Sequence, residues 1–142
     1  MFLILYIKDH NHGCWLILEK GTAKYLVDFE IARGEDNSLK FLDHLLKRYK
    51  LNWKAIGGLG LIIDGASLTQ VKVFTTMINI VAWQFRIPVA GIFYSPSNID
   101  KKIASIFTQL KKQKNFRVLK VKYNQKADIT ISKRRQSYKI IK

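Results

Sequence analysis

The chain has 142 residues, of which 48% are apolar and 12% aromatic, enough to fill the core of one domain and too apolar for a chain that stays unfolded along most of its length. It carries 25 Lys and Arg against 10 Asp and Glu, a formal net charge of +15. Residues 1–100 hold 11 of those basic residues against 9 acids, while residues 101–142 hold 14 against 1, so a field of one sign sits at one end of the molecule and favours an anionic partner, nucleic acid ahead of an acidic membrane surface.

The opening run from Met1 to Ile7 is apolar for seven residues before Lys8, without a basic leader or a small-residue cleavage site, so it reads as a strand rather than a signal peptide. The longest apolar stretch, Val71 to Phe85, is broken by Lys72, Asn79 and Gln84 and falls short of a membrane span. A single cysteine, Cys14, has no internal disulfide partner. The expectation is a cytoplasmic protein with no membrane segment and no cofactor.

In chain order, Leu3 to Ile7, Cys14 to Leu18 and Lys24 to Ile31 alternate as three strands, the last with Tyr25, Val27 and Phe29 on one face. Asn11 to Gly13 and Lys20-Gly21 supply the turns of an antiparallel meander. Asp36, Asn37 and Ser38 offer caps to a helix with Leu39, Leu42, Leu46 and Tyr49 at helical spacing and an Asp43–Lys47 pair on its wet side. Ala55 to Ile63 is apolar and glycine-rich, a strand buried on both faces. Ser67 caps the next helix, Leu68 to Arg86, whose apolar residues form two stripes: Val71, Phe74, Ile78, Val81 and Phe85, then Val73, Met77 and Ile80. One sheet face covers one stripe, so a neighbouring helix or another subunit must cover the second. After Ile87-Pro88, Val89 to Tyr94 is a strand parallel to the buried one. Ser97-x-x-Asp100 has capping-box spacing before a third helix with Ile99, Ile103, Ile106, Phe107 and Leu110. Arg117 to Tyr123 and Ala127 to Ser132 read as two short strands, the first with Lys120 and Lys122 on one exposed face. Residues 133–142 form a basic tail, leaving one domain over residues 1–132.

Three antiparallel strands, a helix, a strand, a helix and a strand follow the order of the ribonuclease-H-like half of actin-like ATPases, an α/β fold with a mixed sheet. Within it, Ile56 to Ile92 (IGGLGLIIDGASLTQVKVFTTMINIVAWQFRIPVAGI) resembles the segment of the TsaB (YeaZ) family that runs strand, glycine turn, G-S-F-T-G-V-R, long helix, L-P-x-x-G-V. Ala66-Ser67-Leu68-Thr69-Gln70-Val71-Lys72 stands at the turn, and Ile87-Pro88 and Gly91-Ile92 match without a gap. Ile4 to Ile7 sits where the family has I-L-x-I-D, and Asn37-Ser38-Leu39 where it has a His-Ser or His-Thr helix start. The likeness covers roughly the first two thirds of the chain.

That resemblance implies a non-catalytic partner of the actin-like synthase that places threonylcarbamoyl on tRNA adenosine. It also implies that Phe74, Met77, Ile78 and Val81, with Phe41 and Leu45 on the first helix, face the partner in a heterodimer. The departures are Lys8 for the family's first-strand aspartate, Ala66, Gln70 and Lys72 for its Gly, Gly and Arg, bulky Phe74 and Ile80 for helix glycines, and no second actin-like half.

Other chemistries are weighed on their residues. No Walker-type or G-x-G-x-x-G sequence is present, and Gly57-Gly58-x-Gly60 precedes the buried strand rather than following it. A small metal-dependent nucleic-acid enzyme of the same fold class would draw on Asp9, Asp64 and Asp128, with Asp9 one residue away from the usual strand position and so on the opposite face. His10, His12 and Cys14 alternate as zinc ligands would, within what reads first as a hairpin turn. His44 reads as a surface or packing residue. Ser67 lacks the flanks of a nucleophile elbow. For an anionic partner such as tRNA, the candidates are Lys120, Lys122, Lys133, Arg134 and Arg135, with Tyr123 and Tyr138 available for stacking. A homodimerising nucleic-acid-binding module is the remaining alternative.

Overall fold

A computed structural model of the chain describes residues 1–31 and 38–122. The capping candidates Asp36 and Asn37, the strand read at Ala127 to Ser132, the domain end at 132, Asp128, Tyr123, Tyr138 and the basic residues Lys133, Arg134 and Arg135 lie outside the described residues.

Strands β1 (Phe2–Ile7), β2 (His12–Glu19) and β3 (Thr22–Glu30) form the meander. Lys20 and Gly21 both adopt positive φ, 51° and 81°, the backbone of a two-residue hairpin turn whose twist matches that of its strands. Helix α1 (Ser38–Arg48), strand β4 (Gly58–Ile63), helix α2 (Leu68–Phe85), strand β5 (Val89–Phe93) and helix α3 (Ile99–Lys112) follow. The sheet order is β3-β2-β1-β4-β5, with β1 antiparallel to β2 and parallel to β4, and β4 parallel to β5. This mixed α/β sheet with its three helices is the ribonuclease-H-like, actin-like half expected from the element order.

Period-two alternation divides the sheet residues between two cores. Leu3, Leu5, Ile7, Trp15, Leu59, Leu61 and Val89 pack with α1 and α2. Ile4, Leu16, Leu18, Ile62 and Ala90 pack with Ile103, Ile106 and Leu110 of α3. Every residue of β4 is buried, as its apolar run implies. Its glycines set the spacing of the α3 layer: a Cβ on Gly60 would lie 2.8 Å from Ile106 Cγ2 and 3.1 Å from Ile4 Cγ1. The helix therefore rests directly on the strand backbone.

Four local readings are corrected. Tyr25 does not share a face with Val27 and Phe29, because the register shifts between Trp15 and Leu16 and leaves Leu26 as an extra residue. A bulge of one residue reverses the faces beyond it. The buried strand starts at Gly58 rather than Ala55, since Asn52 caps a 3-10 turn at Trp53–Ala55 by accepting from the Ala55 amide at 3.2 Å. Asn98, not Ser97, caps α3, its side chain accepting from the Lys101 amide at 2.9 Å. Finally, 117–122 is no sheet strand but an extended segment clamped to α2. The Asn79 carboxamide donates to the Leu119 carbonyl and accepts from the Leu119 amide, each at 2.8 Å, imitating one rung of a ladder. Leu119 sits over Gly91, where a Cβ would come within 2.8 Å of it.

The helix starts and ends follow from local chemistry. Ser67 Oγ accepts from the Gln70 amide and the Gln70 side chain accepts from the Ser67 amide, a complete capping box. Arg86, in the left-handed region at φ 55°, closes α2 one residue before the expected end.

Candidate functional site

Two places on this fold have the ingredients of a site. The first lies beyond the carboxyl ends of the parallel strands β1 and β4, where open α/β sheets bind ligands. Asp64 ends β4 there, and its carboxylate accepts from the Tyr6 hydroxyl and from the ammonium of Lys102, which α3 brings in and buries to 5% exposure. Burial first, and then the bond to Asp64, push the Tyr6 hydroxyl well above its ordinary range. Asp9 lies at the surface, accepts from the Asn11 amide at 2.7 Å and meets His12 Nδ1 at 2.9 Å. Those two contacts, the amide foremost, hold its carboxyl below the usual value.

Each described acid of a metal-dependent nuclease is thus engaged by a partner within the chain, and a lysine ammonium occupies the place on Asp64 where a cation would sit. His10 faces Gln70 Oε1 at 3.4 Å, Cys14 is buried, and burial raises its thiol to about 11. Among the described residues, no group of three His, Cys, Asp or Glu is placed to hold a metal ion. Gln70, which stands where the TsaB segment has glycine, also donates to the His10 carbonyl at 2.8 Å and fastens the β1–β2 turn to the start of α2. A cleft of about 590 Å³ beside this end is lined by Lys8, Asp9, His12, Asp28, Phe29 and Glu30, and Lys8 pairs across it with Asp28 at 3.5 Å.

The second place is a groove of about 440 Å³ between α1 and α2, lined by Leu39, Lys72, Val73, Thr76, Met77, Ile80 and Val81. Leu39, Val73 and Ile80 are 47%, 42% and 56% exposed. Val73 and Ile80, two turns apart on α2, thereby meet solvent together with Leu39 of α1, while the opposite line of α2 (Val71, Phe74, Ile78, Ala82) is in the core.

The residues expected to face a partner divide accordingly. Leu45, Phe74 and Ile78 are buried in the chain's own core, and Met77 lies at the border of that core, on the lining of the groove. Phe41 is half-buried and stacks on Phe29 with centroids 5.4 Å apart, and Val81 is half-buried at the groove. The open surface is the second stripe, Val73 and Ile80, with Leu39. Both stripes were legible; which one the sheet takes depends on how the helix is rolled, and small Thr75 and Ala82 on the buried line are the signal that the backbone approaches the sheet there.

His44 is exposed, beside a small depression lined by Phe41, Leu45 and Tyr49 among others. Of the nucleic-acid candidates, Lys120 and Lys122 are exposed on the extended segment clamped by Asn79, alternating with half-buried Leu119 and Val121. Among the described residues no helix is long and apolar enough to cross a membrane.

No protein-family model and no curated protein sequence matches the chain. Solved structures do share its fold. YeaZ from Pseudomonas aeruginosa superposes with a TM-score of 0.55 at 16% identity, over 65% of this chain and 44% of that one. An uncharacterized protein with similarity to peptidase YeaZ from Pseudomonas aeruginosa gives 0.53 at 18% identity, over 66% and 44%. The likeness read in the Ile56 to Ile92 segment is therefore met again in three dimensions. The match spans less than half the length of either structure.

Proposed function

We propose that this chain, built on the fold of half a YeaZ molecule, is a non-catalytic partner subunit of a tRNA threonylcarbamoyladenosine synthase, docking through α1 and α2 on the paired helices of an actin-like subunit while its basic end meets tRNA. The observation that carries the reading is the open apolar line Leu39, Val73 and Ile80 in a groove between two helices on a YeaZ-like fold. These side chains are already about half covered, so burying the rest of each contributes roughly 1 kcal/mol, enough for a few of them together to anchor an interface. The engagement of Asp64 by Lys102 and Tyr6 weighs toward binding and away from phosphate chemistry at that end. The excess of 14 basic residues over 1 acid in residues 101–142 suits a polyanion.

The test is co-purification from native cells of the wild-type chain and of Ile80→Glu, with mass spectrometry of the recovered proteins. Ile80 is chosen as the probe because it is exposed, whereas Met77 beside it borders the core. An actin-like synthase recovered with the wild type and lost with a folded Ile80→Glu chain is the expected result. Recovery of the chain's own copies alone, or of the same proteins with both chains, overturns it.

A further inference from the structure

The cleft at the end of α2 has a composition that neither the docking groove nor the strand-end site uses. Trp83, Gln84, Arg86, Asn115 and Phe116 line about 490 Å³ of space there. Trp15 is fully buried and Trp53 is covered by Phe85 at 4.3 Å between nearly parallel rings, whereas Trp83 is 67% exposed. So large an indole in water is unusual unless something stacks on it.

The cleft continues into a charged track. From Gln113 to Lys122 the sequence has four basic residues and no acid. The Asn79 clamp on Leu119 lays this segment along α2 one helical turn before Trp83, with Arg117, Lys120 and Lys122 exposed. An aromatic face, two carboxamides that can both donate and accept, and a guanidinium in the cleft suit a nucleobase and its phosphate. A row of cations leading away from a stacking ring is how single strands are held without sequence preference.

We infer that the Trp83 cleft and the adjoining 117–122 segment bind single-stranded nucleic acid, a base stacking on Trp83, Gln84 and Asn115 meeting its edge, and Arg86, Arg117, Lys120 and Lys122 carrying the phosphates. The inference gives a place to the anionic partner in the reading above and rests on that part of it alone, not on the docking of α1 and α2. Within a duplex the bases are stacked on one another and hide the faces that such a ring needs, so unpaired strands are preferred.

The full chain is titrated with a fluorescein-labelled oligouridine, its DNA counterpart and a duplex, at low and at physiological salt, following fluorescence polarisation. Trp83→Ala weakens single-strand binding roughly 5- to 100-fold, the worth of one stacked base, and Trp83→Phe restores most of it. Arg117→Glu weakens all single strands alike and lowers the salt slope by about one. Three outcomes overturn the inference: no saturable binding of any single strand, affinity for the duplex equal to that for the strand, or Trp83→Ala binding as the wild type does. Loss of self-association in Trp83→Ala, with oligonucleotide binding unchanged, would assign the surface to a second copy instead. Ile80→Glu titrated alongside separates the readings, since failed docking with intact binding leaves this inference standing.

Discussion

Helices α2 and α3 lie on opposite faces of one sheet and dispose of their apolar residues differently. In α3, Ile103, Ile106 and Leu110 are all buried, and the glycine strand beneath lets Ile106 come down onto the backbone. Its wet side carries polar groups such as Ser105, Thr108, Gln109 and Lys112. In α2 the sheet takes Val71, Phe74, Ile78 and Ala82, and a second apolar line remains at Val73 and Ile80. A helix with one stripe is finished by its own sheet. A helix with two has surface left over, and the chain bears that exposure where an interface would cover it.

The comparison breaks most readily on the α3 side. Ile106→Ala removes a side chain with no exposed surface and lowers stability by about 3–4 kcal/mol in denaturant unfolding; a loss below about 1 kcal/mol would mean that the α3 layer is loosely packed. Lys102→Met leaves the Asp64 carboxylate with Tyr6 alone. Because Asp64 is partly open to water, the expected loss is about 2 kcal/mol in denaturant unfolding. Cys14, on the same face, titrates at about 11 when folded against 9.0 unfolded. The unfolded chain therefore releases its proton first, so this thiol's contribution is intact below pH 9.0 and lost upward to about 11. Wild type minus Cys14→Ala should show that loss at about 1 kcal/mol per unit of pH. The smallest effect is expected on the open stripe. Val73→Glu and Ile80→Glu keep helix propensity and should move stability by no more than about 0.5 kcal/mol while abolishing docking; a large stability loss would place those residues in the fold rather than at an interface.

Much of this fold is written locally. The meander is marked by Lys20-Gly21 and by alternation, the buried strand by its unbroken apolar run, and α2 by Ser67 at its start and Pro88 beyond its end. Where two neighbours offer the same chemistry, local signals tie: Ser97 and Asn98 are both good caps, and only the path of the chain into α3 selects Asn98. A one-residue bulge at Leu26 leaves almost no trace in a period-two pattern, so alternation alone puts Tyr25 on the wrong face. Alternation in 117–122 was real, but it reports one side packed and one wet, which an extended segment clamped by a side chain satisfies as well as a sheet strand does.

The site residues follow the same division. Lys102 counts in sequence as one more charge of a basic end; its burial against Asp64, 38 residues away, is invisible without the fold. Asn79 reads in sequence as one of three polar breaks in the apolar stretch of α2, and its role as a clamp depends on where residue 119 returns. Hydrophobic period, turn residues and caps act within a few positions, so the sequence by itself determined the elements, their order and the existence of two apolar stripes on α2. The roll of α2 on the sheet, the pairing of Lys102 with Asp64 and the placing of Trp83 and Phe116 on one cleft are long-range outcomes of packing. Only the tertiary structure decided them, because close packing selects among faces that local propensity leaves equal.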